Sequence, residues 1–212
     1  MTGNSKDDGI SPYHGLSDDA DPVEQLRTVY ADWADKYDHD NDHVLGTVSQ
    51  PNAVALLARH LTSKDAAILD VGCGTGLVGH HLNQHGYTTY DGTDLSEEML
   101  RHASTRGYRN LFPTDATTGI PVGDNSYDAV VCVGVFTHGH WGPEGFDELL
   151  RMAKPGGLVV LTVNEGVWET DGYAAKAASM NDSGLWTEIE RSRQSYMVNE
   201  DVEAWYVVAR KP

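Results

Sequence analysis

A buried-strand pattern that runs directly into closely spaced glycines is the feature that most constrains this chain. Residues 67–71 (AILDV) are apolar except for Asp70, and they are followed by Gly72, Cys73, Gly74, Thr75 and Gly76. A continuous apolar strand is typical of a parallel sheet that helices cover on both faces. Glycines at the end of such a strand allow a tight turn and a close approach of the backbone to a ligand. The sequence therefore predicts an open α/β fold with a ligand site at this turn.

The glycines fit two different loops. Gly74-x-Gly76-x-x-Gly79 matches the dinucleotide fingerprint of a nicotinamide-dependent oxidoreductase, whereas Gly72-x-Gly74-x-Gly76 matches another nucleotide loop. Asp70 favours the second loop, because a carboxylate there repels a pyrophosphate and pairs with a cation such as a methionine ammonium group. Asp94 ends the predicted second strand, where it can accept hydrogen bonds from both ribose hydroxyls at about 1.5–3 kcal/mol each. The oxidoreductase remains the less favoured alternative.

Five motifs follow one another between residues 65 and 163. They are the glycine loop at 68–76, GTDLSEEML at 92–100, TDA at 114–116, SYDAVV at 126–131 and KPGG at 154–157. In this order they resemble the cofactor loop, ribose motif, adenine motif, fourth-strand motif and final turn of class I S-adenosylmethionine-dependent methyltransferases. The resemblance implies a Rossmann-like seven-stranded sheet with a parallel core and an antiparallel last strand. It also implies S-adenosyl-L-methionine as cofactor and S-adenosyl-L-homocysteine as product.

A segment before the sheet extends the resemblance. Residues 30–38 (YADWADKYD) are similar to the Tyr-x-x-Trp-Ala-x-x-Tyr-Asp segment of the methyltransferase-like proteins first named from the Williams–Beuren syndrome region. That similarity implies a helix that closes over the cofactor, with Trp33 and Tyr37 near its methionine or adenosine moiety. The alternative is that both are ordinary core aromatics. We therefore expect a flexible acidic arm at 1–22 and one methyltransferase domain at 23–212, with a helical lid at 23–64 and the cofactor-binding sheet at 65–212.

The expected cofactor contacts lie in these motifs and include Ala116, which follows the third strand beside Asp115. They are Tyr30, Trp33, Tyr37, Asp70, Gly72, Cys73, Gly74, Gly76, Asp94, Leu95, Met99, Asp115, Ala116 and Val133.

Candidate acceptor-side residues follow the fourth and fifth strands, since ligands bind at the carboxyl ends of strands in open α/β sheets. His138 and His140 are candidate general bases, because a histidine pKa near about 6.5 suits proton removal from the acceptor. They can equally order the loop or line the pocket, and methyl transfer often needs no base. The candidate substrate contacts are Thr137, Trp141, Asn164 and Trp168. No metal is predicted, because the histidine pairs lack a clear third ligand.

The charge of the chain bears on the acceptor. With 15 basic and 32 acidic side chains the formal charge is −17, and residues 1–50 alone hold 11 acidic and 3 basic residues. Nucleic-acid backbones and anionic membranes require clustered Lys and Arg. The Asn/Asp-Pro-Pro-Tyr/Phe motif of adenine methylation is also absent. The sequence thus predicts transfer to an O, N or S nucleophile of a small molecule, with a non-catalytic S-adenosylmethionine-binding protein as the alternative.

Two further expectations concern location and the end of the chain. Cys73 and Cys132 form no CxxC pair, and no signal peptide or membrane span is visible, which favours the cytoplasm. The acidity indicates either a generally solvating surface or a lid that favours a cationic or neutral acceptor.

A helix is predicted over residues 173–189, followed by a hairpin of strands at 195–198 and 204–209. Nothing in the sequence decides between a monomer and a homodimer.

Overall fold

A computed structural model describes residues 21–137 and 141–212. The predicted arm therefore lies outside the described residues except for its last two positions. His138 and His140, the candidate bases, also lie outside them.

The sheet has seven strands in the order β3-β2-β1-β4-β5-β7-β6. The strands are β1 (Ile68–Val71), β2 (Tyr90–Asp94), β3 (Leu111–Pro113), β4 (Tyr127–Phe136), β5 (Ala153–Asn164), β6 (Thr187–Met197) and β7 (Val202–Arg210). Strands β1 to β5 pair in parallel, and β7 is antiparallel to β5. The predicted parallel core and antiparallel last strand are confirmed.

Helices cover both faces of this sheet. They are α1 (Pro22–His39), α2 (Ser49–His60), α3 (Leu77–Gln84), α4 (Glu97–Ala103), α5 (Gly145–Met152), α6 (Glu165–Trp168) and α7 (Tyr173–Asp182). A π-helical turn at Asp40–Leu45 follows α1, and a 3-10 turn at Ala116–Thr118 follows β3. Ser96 caps α4 as predicted, since its hydroxyl accepts from the Met99 N–H at 3.2 Å.

Two apolar layers explain why the central strands read as continuous hydrophobic runs. On one face, Phe146 and Leu149 of α5 pack with Trp168 in a buried cluster that reaches β4 and β5. On the other face, Leu57 of α2 and Leu82 of α3 pack against alternate residues of the same strands. Because both faces are covered, strand residues bury their side chains whichever way they point. The carboxyl ends of β1, β2 and β4 remain accessible for a site.

The predicted helix over 173–189 is wrong at its C-terminal end. Helix α7 ends at Asp182, and Gly184 then adopts a left-handed φ of 72°. Trp186 folds back into the core, where its Nε1–H donates to the carbonyl of Ala177 at 3.3 Å. Residues 187–189 instead begin β6, which pairs with β7 in the predicted antiparallel hairpin but is far longer than expected.

Within residues 21–137 and 141–212, no helix combines the length and the apolar character that a membrane crossing requires.

Candidate functional site

A cavity lies at the carboxyl edge of the sheet and beneath helix α1. The empty space within it, including the part that is open to solvent, is about 1030 Å³. The ends of β1, β2 and β4 form its floor, and Leu26, Tyr30 and Tyr37 of α1 form its roof. A helix that precedes the sheet in sequence thus closes the site, as expected for the lid.

Gly72 opens the glycine loop and has no room for a side chain. Its φ is 70°, and a Cβ atom added there would lie 2.2 Å from Cγ2 of Val135. Such a φ is costly for residues other than glycine. The loop can therefore pass close to β4 only because residue 72 is glycine.

Asp94 connects the glycine loop to the end of β2. Its Oδ2 accepts from the Gly74 N–H at 2.8 Å, and its Oδ1 accepts from the Ser96 N–H at 3.0 Å. Burial raises the pKa of Asp94 above its ordinary value, while these backbone hydrogen bonds act to lower it. Each carboxylate oxygen can accept a further hydrogen bond. The position at the cavity wall suits the two hydroxyls of a ribose.

Asp70 lies under the loop with only 1% of its surface exposed. Its Oδ2 accepts from the Tyr108 hydroxyl at 2.5 Å, whereas its Oδ1 has no hydrogen-bond partner among the described residues. Burial raises the pKa of Asp70 to about 7; the Tyr108 hydrogen bond lowers it and the charge of Asp94 raises it. A buried carboxylate oxygen without a partner is costly. A cationic group at the adjacent wall would reduce that cost, which fits the ammonium of S-adenosylmethionine.

The other end of the cavity is formed after β3. Asp115 caps the 3-10 turn, because its Oδ1 accepts from the N–H and the hydroxyl of Thr117 at 2.9 and 2.6 Å. Asp115 and Ala116 both line the cavity, together with Leu95 and Met99 from the β2–α4 segment. This arrangement suits the adenine end of the cofactor.

The aromatic residues of α1 divide into two roles. Tyr30 and Tyr37 line the cavity. Trp33 is not part of the wall; its ring meets Tyr37 edge-on at 4.7 Å, and its Nε1–H donates to Asp40 Oδ2 at 2.7 Å. Trp33 thereby supports the position of Tyr37 from behind.

Asp38 connects the lid to the glycine loop, a contact that the sequence analysis missed. Its Oδ1 accepts from the Thr75 hydroxyl at 2.6 Å, and its Oδ2 pairs with Arg106 after α4. In sequence, Thr75 lies 37 positions after Asp38, and Arg106 lies 68 positions after it. Asp38 belongs to the YADWADKYD segment, but the pattern alone does not say what it contacts.

The acceptor side of the cavity is apolar where the structure describes it. Val133, Gly134, Val135 and Trp141 contribute to the wall. Gly134 adopts a φ of 85° within an irregularity of β4, and its N–H donates to the Thr162 hydroxyl at 3.1 Å. Bulges of this kind occur next to active sites, where they redirect side chains.

Several predicted site residues lie outside the cavity wall. Asn164 caps α6, because its Oδ1 accepts from the Gly166 N–H at 2.8 Å. Trp168 is 2% exposed and packs against Trp205 with ring centroids 5.5 Å apart. These contacts use both side chains for structure, since α6 turns back over β5 and β7. The remaining residues outside the wall are Trp33, Asp70, Cys73, Gly76 and Thr137.

Cys73 and Gly76 still belong to the loop itself. Cys73 is buried against Leu100 and Ala103 of α4, and Gly76 precedes the first residue of α3 with a φ of 92°. Both positions therefore shape the loop without facing the cavity. In the described part of the chain, no three His, Cys, Asp or Glu side chains are close enough together to hold a metal ion.

The fold and this site define a class I S-adenosylmethionine-dependent methyltransferase. Residues 69–161 match the family described as the methyltransferase domain, and a relative that is 32% identical over 82% of the chain shows that the chain belongs to it. The glycines therefore form a methyltransferase loop, and the Gly79 N–H at the start of α3 donates to the Tyr108 hydroxyl at 3.0 Å.

Particular relatives refine this assignment. Methyltransferase-like protein 27 of Homo sapiens is 32% identical over 180 residues, which cover 82% of this chain and 71% of that protein. The 18S rRNA (guanine(1575)-N(7))-methyltransferase of Saccharomyces cerevisiae is 40% identical over 67 residues, 31% of this chain and 24% of that protein. The crystal structure of magnesium protoporphyrin IX methyltransferase from Synechocystis PCC 6803 with bound cofactor covers 93% of this chain and all of that one, with a TM-score of 0.66 and 16% identity.

Proposed function

We propose that this methyltransferase acts on an O, N or S nucleophile of a small molecule. The observation that carries the proposal is the chemistry of the cavity. Val135 and Trp141 give the proposed acceptor side an apolar wall, and no Lys or Arg occurs among the described lining residues.

The residues of this chain would act mainly by alignment and by exclusion of water. S-adenosylmethionine, when bound, supplies a methyl group that is activated by the sulfonium. Asp94 and the segment at Asp115 would hold the nucleoside, and Asp70 would face its cationic end. The apolar roof of α1 would exclude water from the nucleophile, and such alignment and desolvation account for much of the acceleration of a displacement reaction.

A general base is a separate part of the proposal. His138 and His140 stay predictions, since they lie outside the described residues. If either acts as the base, the rate should fall as pH drops below the histidine pKa of about 6.5.

RNA is the competing acceptor class, because several relatives carry rRNA or tRNA methyltransferase names. The charge of −17 opposes this class, since binding to phosphates depends on clustered cations. The cavity wall likewise supplies no cation for a phosphate in its described part. These two observations support the small-molecule acceptor.

A labelled-methyl assay tests the proposal. The protein would be incubated with S-adenosylmethionine carrying a tritiated methyl group, together with a panel of small metabolites or with total RNA. We expect label in one or more small metabolites and none in RNA, with the Asp94→Ala variant, whose cofactor binding should be weaker, as the control of reduced activity. Label in RNA would overturn the small-molecule acceptor. A silent panel with tight S-adenosylhomocysteine binding would favour a non-catalytic binding protein.

We also infer a cytoplasmic location. Both cysteines of the chain, Cys73 and Cys132, are buried and unpaired. Thiols persist in the reduced state in the cytosol. This supports the proposed location, and fractionation of the source cells would test it.

A further inference from the structure

Tyr108 lies between the glycine loop, the first turn of α3 and strand β2. Three glycines make room for its ring: a Cβ atom added at Gly79 would lie 2.4 Å from Tyr108 Cε2, and one added at Gly76 or Gly92 would lie 2.9 Å from the ring. The ring also meets Tyr90 edge-on at 5.0 Å. The Tyr108 ring thus packs directly against the backbone of all three elements.

The hydroxyl of Tyr108 has two partners that define its orientation. The Gly79 N–H can only donate, so it donates to Tyr108 Oη at 3.0 Å. The hydroxyl proton is then directed at Asp70 Oδ2, 2.5 Å away. One side chain therefore joins the start of α3 to the carboxylate at the end of β1. The other carboxylate oxygen is left without a partner.

We propose that Tyr108 is a positioning residue for cofactor binding, whose hydroxyl holds the Asp70 carboxylate in place for the cationic end of S-adenosylmethionine. The proposal concerns the cofactor site and is independent of the acceptor. Tyr108 does not line the cavity, so it acts through Asp70 and the loop. This distinguishes it from Asp94, which lines the cavity itself.

The protonation of Asp70 gives the proposal a pH signature. The groups that act on the Asp70 carboxyl are the Tyr108 hydroxyl and the charge of Asp94 of β2, and Asp70 in turn acts on the thiols of Cys73 in the loop and Cys132 of β4. Burial raises the pKa of both thiols, so they stay neutral. The Tyr108 hydrogen bond stabilises the charged carboxylate and lowers the pKa of Asp70, which is about 7 with that bond in place. Loss of the hydroxyl should raise it further, so that Asp70 is protonated at neutral pH.

The test compares Tyr108→Phe with wild type by calorimetric titration of S-adenosylhomocysteine from pH 6 to pH 9. Phe keeps the ring against the glycines and removes only the hydroxyl. We expect affinity about fivefold weaker at pH 7, because a rise of about one unit from a pKa of about 7 lowers the ionised fraction of Asp70 from about one half to about one tenth, and recovery to within about twofold at pH 9. Protonation of the ligand amine changes both affinities equally, because both proteins bind the same ligand, so it does not alter their ratio.

Tyr90→Phe is the matched control. Tyr90 is buried against Tyr108, and its hydroxyl donates to the carbonyl of Arg106 at 2.8 Å rather than to Asp70. This variant should lower thermal stability without a pH-dependent loss of affinity. In the Asp70→Asn background, Tyr108→Phe should have no pH-dependent effect either.

Three outcomes would overturn the proposal. One is an equal loss of affinity at every pH, which indicates packing alone; another is unchanged affinity. The third needs no variant: a carboxyl-carbon NMR titration of wild type in which Asp70 titrates near the ordinary value of about 4 and does not respond to S-adenosylhomocysteine. Since no methyl acceptor is used, failure here leaves the small-molecule proposal intact, and failure of the metabolite panel leaves Tyr108 intact.

Discussion

The two halves of the cavity differ in how firmly the chain itself defines them. At the cofactor half, Asp70 and Asp94 hold the glycine loop and α3 through hydrogen bonds of 2.5–3.0 Å, directly or through Tyr108. At the acceptor half, Val135 and Trp141 offer apolar surface. A loop built by backbone hydrogen bonds and close glycine contacts tolerates little change, whereas an apolar wall can be altered without loss of the nucleoside. The difference suits a family that keeps one cofactor and varies the acceptor.

The largest expected effect is at Gly72. Gly72→Ala would place a methyl group 2.2 Å from Val135 Cγ2 at a φ of 70°, so the loop must move. We expect the affinity for S-adenosylhomocysteine to fall about 100-fold, because overpacking costs about 1–3 kcal/mol and the left-handed backbone adds strain. Calorimetry measures this loss.

Gly156→Ala is the matched control for that variant. Gly156 also has a positive φ, 79°, but a Cβ atom there meets no other atom within 4 Å. It should weaken folding and leave cofactor affinity within about twofold. Equal losses of affinity in the two variants would show that general instability, and not the loop, explains the effect.

The next largest effect is at Asp94. Asp94→Ala removes the acceptor for the Gly74 and Ser96 N–H groups as well as the proposed ribose contact. Charge-assisted hydrogen bonds contribute about 1.5–3 kcal/mol, so we expect about 30-fold weaker binding of S-adenosylhomocysteine. Asp94→Asn keeps one acceptor oxygen and should lose less. If calorimetry gave wild-type affinity for Asp94→Ala, the ribose assignment would be wrong.

A smaller effect is expected at Asp38, whose contacts join helix α1 to the glycine loop. Asp38→Asn weakens the contact with Arg106 and Thr75, so α1 should open more readily. We expect S-adenosylhomocysteine to dissociate about fivefold faster, consistent with about 1 kcal/mol for a partly buried polar contact. Stopped-flow fluorescence of the lid tryptophan would record the rate.

Asp35→Asn is the control on the same helix. Asp35 pairs with His102 at 3.3 Å, but its side chain is 93% exposed. Exposed ion pairs contribute little, so the dissociation rate should not change. A faster dissociation rate in both variants would show that the charge of the helix, and not the contacts of Asp38, causes the effect.

The smallest effect on the cofactor, and the sharpest contrast between the halves, is expected at Trp141. Trp141 stacks on Phe136 at 5.7 Å and is 5% exposed. Trp141→Phe keeps an aromatic ring and shrinks the acceptor wall, so acceptor KM should rise about threefold while the affinity for S-adenosylhomocysteine stays within about twofold. A larger loss of cofactor affinity than of acceptor KM would contradict the division into two halves.

Most of the residues expected at the cofactor line the cavity, and the sequence could point to them because they lie in short, contiguous motifs. The strand–glycine transition at 68–76, the cap at Ser96 and the carboxylates at Asp94 and Asp115 each follow from local chemistry. Contacts between distant segments were not predictable in this way. Asp38 and Tyr108 meet the loop only after folding, and the three glycines around Tyr108 indicate that something fills the space without saying which residue does.

The end of the chain shows a second limit of sequence reasoning. Strand β6 has no fully buried residue, and although exposure alternates along it, its sequence TEIERSRQSYM lacks the alternation of apolar and polar residues that is typical of a half-buried strand. Its pairing with β7 makes this segment a strand. The prediction wrongly continued the helix of α7 into it, because the helical spacing of residues does not end visibly at Asp182. Asn164 and Trp168 follow a strand end, as site residues do, but they lie outside the cavity wall, because α6 places Asn164 at its cap and Trp168 in the core.

The central claim is that the cofactor half of the cavity has its binding geometry before the cofactor binds. A crystal structure with S-adenosylhomocysteine tests this claim most directly. We predict that both ribose hydroxyls contact Asp94, that the ammonium lies on the side of Asp70, and that the backbone of residues 70–79 stays within about 1 Å of its present course. A ribose bound away from Asp94, or a glycine loop rebuilt around the ligand, would contradict it.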